Sequence, residues 1–349
     1  MIDPAFNLLL PHIQGAPPQS LWLADENLLG AQLAPRSNIR MIANRLDLVQ
    51  AARARGWQAD WSDFDLSAIP AGSIARVIYR VSKEKPLVHH NINQALRVLR
   101  TGGELMLSGD KGEGIKGYLE RTRTLFAGQG DFEKASANCW LGVFTRPEQP
   151  GLTLDDKNYA QLREACADTQ FQYWSKPGVF GWDKIDKGSA FLIEHLDTFV
   201  TELPAPPARI LDLGCGYGYL SLQAARLGAP VTATDNNAAA IAACERNFAA
   251  HGIRGEVIPA SCGDGIDGPF ELILCNPPFH AGFSVEDDLT ERFLSAAARL
   301  LARNGIAAFV VNRQIMLERR AASRFARIQT LAENRSFKLV LLAGAKTGA

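Results

Sequence analysis

The tetrapeptide Asn276-Pro277-Pro278-Phe279 carries the side chains of this sequence that are best suited to chemistry. It follows an apolar run, residues 272–275, with the composition of a buried strand. The side-chain oxygen of Asn276 and the carbonyl of Pro277 can each accept a hydrogen from an amine, which turns a planar nitrogen into a better nucleophile. The two prolines fix φ and stiffen this turn, while Phe279 offers a ring on which a base can stack. The tetrapeptide therefore predicts group transfer onto an exocyclic or amide nitrogen.

A glycine-rich motif, Asp-Leu-Gly-Cys-Gly-Tyr-Gly, lies about 60 residues upstream. Gly214, Gly216 and Gly218 allow backbone amides to approach a ligand at a helix N-terminus. Their spacing differs from the Gly-x-Gly-x-x-Gly fingerprint of dinucleotides, so it favours S-adenosyl-L-methionine, although a nicotinamide cofactor stays an alternative. Asp212, at the end of the preceding strand, is predicted to meet the ammonium group of the cofactor.

Three further residues are predicted at the cofactor. Asp235 ends the next predicted strand, where a carboxylate can accept hydrogen bonds from both ribose hydroxyls. Asn236 is expected beside the adenine, and Ser261, after the third strand, at the adenine edge. The alternative is that the glycines form ordinary turns and that Asp235 only caps a helix. Methyl transfer from a sulfonium is mainly in-line positioning, so we expect His280 to be a structural or substrate-edge residue.

The second half of the chain alternates strands and helices, which is typical of a doubly wound α/β sheet. Strands are predicted at 210–213, 231–234, 256–258, 272–275, 306–311 and 337–342, and helices at 220–226, 238–250 and 289–301.

The first half repeats this plan, with predicted strands at 21–23, 39–42 and 76–81. Residues 25–30 replace the glycine turn, and residues 82–86 replace the tetrapeptide. We therefore predict two tandem Rossmann-like methyltransferase domains. Residues 1–150 form a degenerate domain for substrate positioning or stability, and residues 151–349 form the catalytic domain, with turn-forming residues between them. The alternative is that both halves share the alternation without duplication.

Composition narrows the class of protein. A chain of 349 residues suits two domains. Lysine plus arginine equals aspartate plus glutamate, 37 each, so the chain has no overall positive charge that would indicate a nucleic-acid partner. The six cysteines lack metal-ligand or disulfide spacing, and no apolar run approaches the roughly 20 residues of a membrane span. These features predict a cytoplasmic monomer with no metal and no membrane partner.

These motifs resemble the ribosomal RNA guanine-N2 methyltransferases of the RsmC/RlmG type, most closely over residues 176–311. Two further segments carry the resemblance, Lys-Pro-Gly-Val-Phe ending at Phe180 and Asp-Lys-Gly-Ser ending at Ser189. The resemblance implies an N-terminal domain without cofactor. It also implies Gly188 and Ser189 at the cofactor, Phe180 at the target base, and transfer to N2 of a guanine in ribosomal RNA, with small-subunit RNA favoured. Residues 181–185 depart from the family pattern.

Residues 313–338 hold seven basic and two acidic side chains, beginning with Arg313. Such a strip predicts contact with an RNA backbone, but a solvated helix face is an alternative. The target guanine must leave its stack to reach the site, which favours loops or partly assembled RNA. Other functions stay open: methylation of large-subunit ribosomal RNA, methylation of a glutamine amide in a translation factor, or RNA binding without catalysis.

Overall fold

The computed structural model describes residues 3–25, 33–278 and 283–346, with side chains in the last range from residue 289 onward. The chain divides into two compact units, Met1–Gln161 and Leu162–Ala349. No helix among the described residues is long and apolar enough to cross a bilayer.

The first unit is built on a sheet whose described strands have the order β3-β2-β1-β4-β5-β7-β6. The first five of these strands are parallel, and β7 is antiparallel to both of its neighbours. Its strands are β1 (Ser20–Ala24), β2 (Ile39–Ala43), β3 (Ala59–Trp61), β4 (Ile74–Arg80), β5 (Leu99–Asp110), β6 (Gly130–Lys134) and β7 (Cys139–Thr145). Its helices are α1 (Pro4–Asn7), α2 (Leu10–Gln14), α3 (Leu46–Ala54), α4 (Lys85–Val98) and α5 (Ile115–Leu125).

The second unit opens with a two-stranded hairpin and continues into a sheet of order β12-β11-β10-β13-β14-β16-β15. Strand order and directions repeat those of the first sheet, which confirms the prediction of two tandem Rossmann-like folds. The strands are β8 (Arg163–Ala167), β9 (Gln172–Ser175), β10 (Ile210–Leu213), β11 (Val231–Asp235), β12 (Gly255–Pro259), β13 (Phe270–Cys275), β14 (Leu301–Asn312), β15 (Phe325–Glu333) and β16 (Phe337–Ala345). The helices are α6 (Lys187–Glu194), α7 (Leu196–Val200), α8 (Tyr219–Ala224), α9 (Ala238–His251), α10 (Phe283–Leu300) and α11 (Leu317–Ala321).

Local sequence explains the central elements of the second sheet. Strands β10 and β13 are covered on both faces, so each is almost entirely apolar rather than alternating, with Asp212 and Glu271 as the exceptions. Helix α9 begins after Asn237, whose Oδ1 accepts hydrogen bonds from the backbone amides of Ala239 and Ala240. The same helix ends at Gly252, which has the left-handed φ of +60° that glycine adopts without strain.

The division between the units lies at residue 161, whereas the sequence placed it at 150. The side chain of Asn93 in α4 donates to the carbonyl of Leu154 at 2.8 Å and accepts from its amide at 2.9 Å. The buried Tyr159 hydroxyl donates to Asp63 at 2.7 Å. These long-range hydrogen bonds attach the segment around residues 154–159 to the first unit, and turn-forming residues near 150 give no sign of them.

Residues 325–333 form the edge strand β15, so the alternative of a solvated helix face does not hold for them. Their pairing with β16 places β15 in the sheet. Only Arg327 and Glu333 are charged within β15, but apart from Phe325 its side chains are exposed or half-buried, because the strand lies at the sheet edge. An exposed edge strand of this kind lacks the apolar run by which the sequence reveals a central strand.

The six cysteines are all free thiols. Cys139, Cys215, Cys244 and Cys275 are buried, and the other two are half-buried. Within the residues that the structure describes, no group of three or more His, Cys, Asp or Glu side chains is arranged to hold a metal ion.

A buried guanidinium connects three parts of the first unit. Arg80, at the end of β4, is 3% exposed. Its Nη2 lies 3.1 Å from Oδ2 of Asp3, and its Nη1 lies 2.5 Å from Oε1 of Glu113. Asp3 is also the N-cap of α1, so this charge cluster fixes the start of the first helix against the sheet.

We expect Arg80→Met to destabilise the first unit by about 3 kcal/mol, since both carboxylates then lose their cation while partly buried. Arg40→Met is the matched control, because the side chains of Arg40 and Asp60 are 48% and 40% exposed and such pairs contribute at most about 1 kcal/mol. Urea unfolding of the full chain measures both variants, and amide hydrogen exchange assigns the change to the first unit. Equal effects of the two substitutions would contradict the interpretation.

Candidate active site

The candidate site lies at the carboxyl ends of β10, β11 and β13. In the register of the sheet, Asp212 lies opposite Leu274, and Leu213 lies opposite Thr234. The glycine turn, Asp235 and Asn276 therefore begin at the same level of one sheet edge. Between β10 and β13 the strand order also reverses direction, and ligands of open α/β sheets bind at such a switch point.

The glycine turn provides both a tight backbone and open space. Gly214, Gly216 and Gly218 all have positive φ. A Cβ on Gly218 would lie 2.8 Å from Sγ of Cys244, so a side chain there would collide with α9. A Cβ on Gly216 would meet no described atom within 4 Å. The backbone of Gly216 therefore borders a space that a ligand can fill.

Asp235 connects the glycine turn to the end of β11. Its Oδ2 accepts the amide of Gly216 at 3.0 Å, and its Oδ1 accepts the amide of Asn237 at 2.9 Å. The carboxylate therefore ties the glycine turn to the N-cap of α9. The next residue, Asn236, is half-buried beside it.

Asp212 is fully buried beneath the turn. Its Oδ2 accepts the hydroxyl of Ser221 at 2.6 Å, while its Oδ1 has no hydrogen-bond partner in the part of the chain that the structure describes. Burial raises the pKa of Asp212 to about 7, and the charge of Asp235 adds to this, against hydrogen bonds from Ser221 that lower it. A cation beside Oδ1 would supply the partner that this oxygen lacks, so the residue fits a ligand that carries an ammonium group.

Asn276 follows β13 and is held by the start of α6. Its Nδ2 donates to Oδ1 of Asp186 at 2.7 Å and to Oγ of Ser189 at 2.8 Å. Both amide hydrogens are thereby used, and none of the described residues donates to its Oδ1. Pro277 is buried and Pro278 is exposed. The rest of the motif, Phe279, lies outside the described residues, as does His280.

The segment that ends at Phe180 approaches the same edge of the sheet. The side chain of Asn237 donates to the carbonyl of Gly178 at 3.3 Å, and Val179 is buried in the core of the second unit. Phe180 itself is 60% exposed, one of three large apolar side chains that are exposed among the described residues. Gly188, at the start of α6, is buried.

Two predicted site residues have surroundings that the sequence did not indicate. Ser261 is buried, and its hydroxyl accepts a hydrogen bond from Nη2 of Arg292 at 2.8 Å. Arg313 follows β14 at the same sheet edge as Asn276, and its Nη2 lies 3.6 Å from Oε1 of Glu333. Its side chain is more than half exposed, which leaves it accessible at the rim.

The basic strip from Arg313 to Lys338 is more neutral than its sequence indicates. Nζ of Lys338 lies 2.6 Å from Oε2 of Glu318, and this lysine is buried. Nη2 of Arg327 lies 2.7 Å from Oε2 of Glu202, an acid outside the strip. The strip is spread over α11, β15 and β16, so it is not one helix face.

Sequence reasoning missed the roles of Asp186, Asn237 and Arg292. The first two were detectable as N-caps, because each precedes a helical segment and has a side chain that accepts from backbone amides. No local pattern indicates the contact between Arg292 and Ser261, which joins α10 to the loop after β12.

Comparison with known proteins identifies the family. The Methyltransferase small domain family matches residues 170–341. Ribosomal RNA small subunit methyltransferase C of Pseudomonas paraeruginosa is 33% identical over 288 residues, which cover 80% of this chain and 81% of that protein. The protein of the same name from Shewanella oneidensis is 30% identical over 265 residues, 75% of each chain. The chain belongs to the ribosomal RNA small subunit methyltransferase C family.

A solved structure has the same fold over almost the whole chain. It is the Thermus thermophilus 16S rRNA N2 G1207 methyltransferase (RsmC) in complex with AdoMet and guanosine, with a TM-score of 0.83 and 23% sequence identity. The match covers 98% of this chain and 92% of that one. Family membership confirms the predicted RsmC-type ribosomal RNA methyltransferase, its RNA partner and its cofactor, S-adenosyl-L-methionine.

The buried carboxyl of Asp212 makes stability depend on pH. Its folded pKa lies above the usual 3.8, so folding takes up a proton and the free energy of unfolding falls as pH rises from about 4 to about 7. Asp212→Asn removes this titration. We expect the stability of the wild type relative to the variant to be greater at about pH 5 than at about pH 8, measured by chemical unfolding without cofactor. A difference that does not change with pH would contradict the assignment.

Proposed function

We propose that this enzyme methylates the exocyclic N2 of a guanine in small-subunit ribosomal RNA at the Asn276-Pro277-Pro278-Phe279 site. The observation that carries the proposal is the amide of Asn276, whose two hydrogens are engaged by Asp186 and Ser189. Its oxygen is left to accept a hydrogen from a target amine. The names of the family relatives, and that of the Thermus thermophilus protein, support this substrate.

The residues at the strand ends fit S-adenosyl-L-methionine, which supplies an electrophilic methyl group on a sulfonium. We propose that the ammonium group supplies the partner that Oδ1 of Asp212 lacks among the described residues. The turn of Gly214, Gly216 and Gly218 borders the open space for the amino-acid end and ribose. Asp235, at the end of β11, would accept the ribose hydroxyls.

The adenine end is assigned to Asn236 and Ser261; the Ser261 hydroxyl accepts from Arg292 and keeps its own hydrogen to donate. Ser189 accepts from Asn276, so its own hydroxyl hydrogen is left for the amino-acid end of the cofactor. Gly188 would bring the backbone of α6 close to the same end.

The chain activates the amine by hydrogen bonding rather than by a strong base. The oxygen of Asn276 and the carbonyl of Pro277 would accept the two hydrogens of guanine N2, so that its lone pair leaves the ring plane and faces the methyl group. Methylation makes N2 cationic, and the surplus proton passes to water. The exposed ring of Phe180 provides a face for the base, as we propose for Phe279.

The rim of the site is assigned to substrate contacts. Arg313 is exposed at the sheet edge, where a guanidinium can contact an RNA phosphate. We place His280 at the edge of the substrate without a proton-transfer role, because the reaction needs no titrating group. All the proposed residues come from one chain, so the site requires no second copy, and this supports a monomeric enzyme.

The first unit is proposed to position or stabilise rather than to transfer methyl groups. Buried Val81 follows β4 at the position that Asn276 takes after β13. A valine offers no acceptor to an amine. The charge cluster of Arg80, Asp3 and Glu113 occupies the same strand end.

Transfer of tritiated methyl groups tests the function. The acceptors are free 16S RNA, small subunits, large subunits and a release factor, all from cells that lack the enzyme. We expect label only in small-subunit RNA, recovered as N2-methylguanosine, and about a hundredfold lower rate for Asn276→Ala. Cofactor affinity, measured by calorimetry, should stay near the wild-type value in this variant. Label in the release factor alone would assign amide methylation instead, and full activity of Asn276→Ala would refute the mechanism.

The glycine turn yields a second test with a matched control. Gly216→Ala places a methyl group in the open space at the turn, so we expect cofactor affinity to fall by about tenfold or more, which is about 1.4 kcal/mol. Gly228→Ala also has a positive φ and no neighbour within 4 Å of the added carbon, so it has a similar backbone cost away from the site. Calorimetry measures the cofactor affinity of both variants. Equal affinities would show that the cofactor does not bind next to Gly216.

A further inference from the structure

We propose that Asp186 is a positioning residue for methyl transfer, whose carboxylate fixes and polarises the amide of Asn276 so that its oxygen faces the target amine. The proposal rests on the function proposed above. It concerns a residue of the second unit that touches Asn276 and not the reacting atoms.

The oxygen and nitrogen of an asparagine side chain have almost the same size, so shape alone does not decide which of them faces the target. A reversed Asn276 would present two hydrogens to an amine that also presents hydrogens. The hydroxyl of Ser189 does not prevent this, because a hydroxyl both donates and accepts. A carboxylate only accepts. Asp186, at 2.7 Å from Nδ2, is therefore the neighbour that selects the productive orientation.

The carboxylate of Asp186 is itself held in place. It is the N-cap of α6, and its Oδ1 accepts the backbone amide of Ser189 at 2.8 Å as well as Nδ2 of Asn276. A Cβ on Gly188 would lie 3.1 Å from the same oxygen, so the backbone of the first turn of α6 passes close to the carboxylate. The start of this helix therefore aligns the carboxylate before any base is bound.

The same arrangement favours the transition state. Positive charge moves onto N2 as the methyl group is transferred, and the N2 hydrogens become stronger donors. A hydrogen bond from Nδ2 to a carboxylate polarises the amide and makes its oxygen a better acceptor. The hydrogen bonds that join the carboxylate, the amide and the amine therefore strengthen as charge develops on N2. This effect appears in kcat more than in substrate affinity.

An exchange of the two side chains tests the proposal. Asp186→Asn keeps the helix cap but replaces a charged acceptor with a neutral one, so we expect kcat to fall about tenfold. Asn276→Asp alone sets two carboxylates against each other, and we expect at least about a hundredfold loss. In the double variant Asp186→Asn/Asn276→Asp the repulsion between the two carboxylates is removed and the helix cap is kept. The Ser189 hydroxyl, which accepts from Asn276 in the wild type, can then donate to the carboxylate at position 276, and a carboxylate oxygen again faces the amine. Its kcat should exceed that of Asn276→Asp by about tenfold or more.

Controls separate positioning from a merely structural role. Calorimetry should give the wild-type cofactor affinity for all three variants, and thermal unfolding checks that each is folded. The side-chain ¹⁵N–¹H signals of Asn276 should shift in Asp186→Asn without any substrate present. Asp183→Asn removes an exposed carboxylate from the same segment and should keep the wild-type kcat.

The proposal is overturned if Asp186→Asn retains the wild-type kcat, or if the double variant is no faster than Asn276→Asp. All variants are assayed on whichever acceptor the wild type labels. Failure of the substrate assignment and failure of the positioning role therefore give different results. If the substrate assignment fails, a different molecule is labelled. If the positioning role fails, the same molecule is labelled, but the kcat values of the variants do not follow the expected order.

Discussion

The candidate site depends on the alignment of two adjacent parallel strands, β10 and β13, whose carboxyl ends lie at one level of the sheet. Because peptide dihedrals and hydrogen bonds fix this register, the glycine turn and Asn276 are set opposite each other by the backbone. The reversal of strand order at this point leaves a crevice between the connections on either side. The backbone alone therefore brings together the places that we propose for the cofactor and the target amine.

Polar contacts from a segment that precedes the sheet complete this edge. Asn237 binds the carbonyl of Gly178, and Asp186 binds the amide of Asn276. Each contact joins an N-cap to a residue outside its own helix. Since an unsatisfied polar group in a partly buried place is costly, these bonds define where the segment lies and hold the amide of Asn276. The start of a helix thus supports the acceptor that we propose at a strand end.

The first unit has a sheet of the same strand order but a different set of polar groups at its edge. Its strand order is that of the second unit, yet an ion cluster around Arg80 occupies the end of β4, where Asn276 follows β13 in the second unit. The sheet provides the edge, and the residues at the edge decide the function. The two units therefore share an architecture while the predicted transfer site belongs to one of them.

The sequence by itself determined the two sheets, the glycine turn and the location of Asn276 at a strand end, because apolar runs and turn residues are local patterns. The tertiary structure decided what depends on distant partners. Asp186 and Asn276 are separated by 90 positions, and the segment around Tyr159 belongs to the first unit through Asp63. Residues 325–333 form a strand because β16 supplies hydrogen bonds. Hydrogen bonds and ion pairs across the fold leave no periodic mark in a sequence, since each partner satisfies its own local pattern.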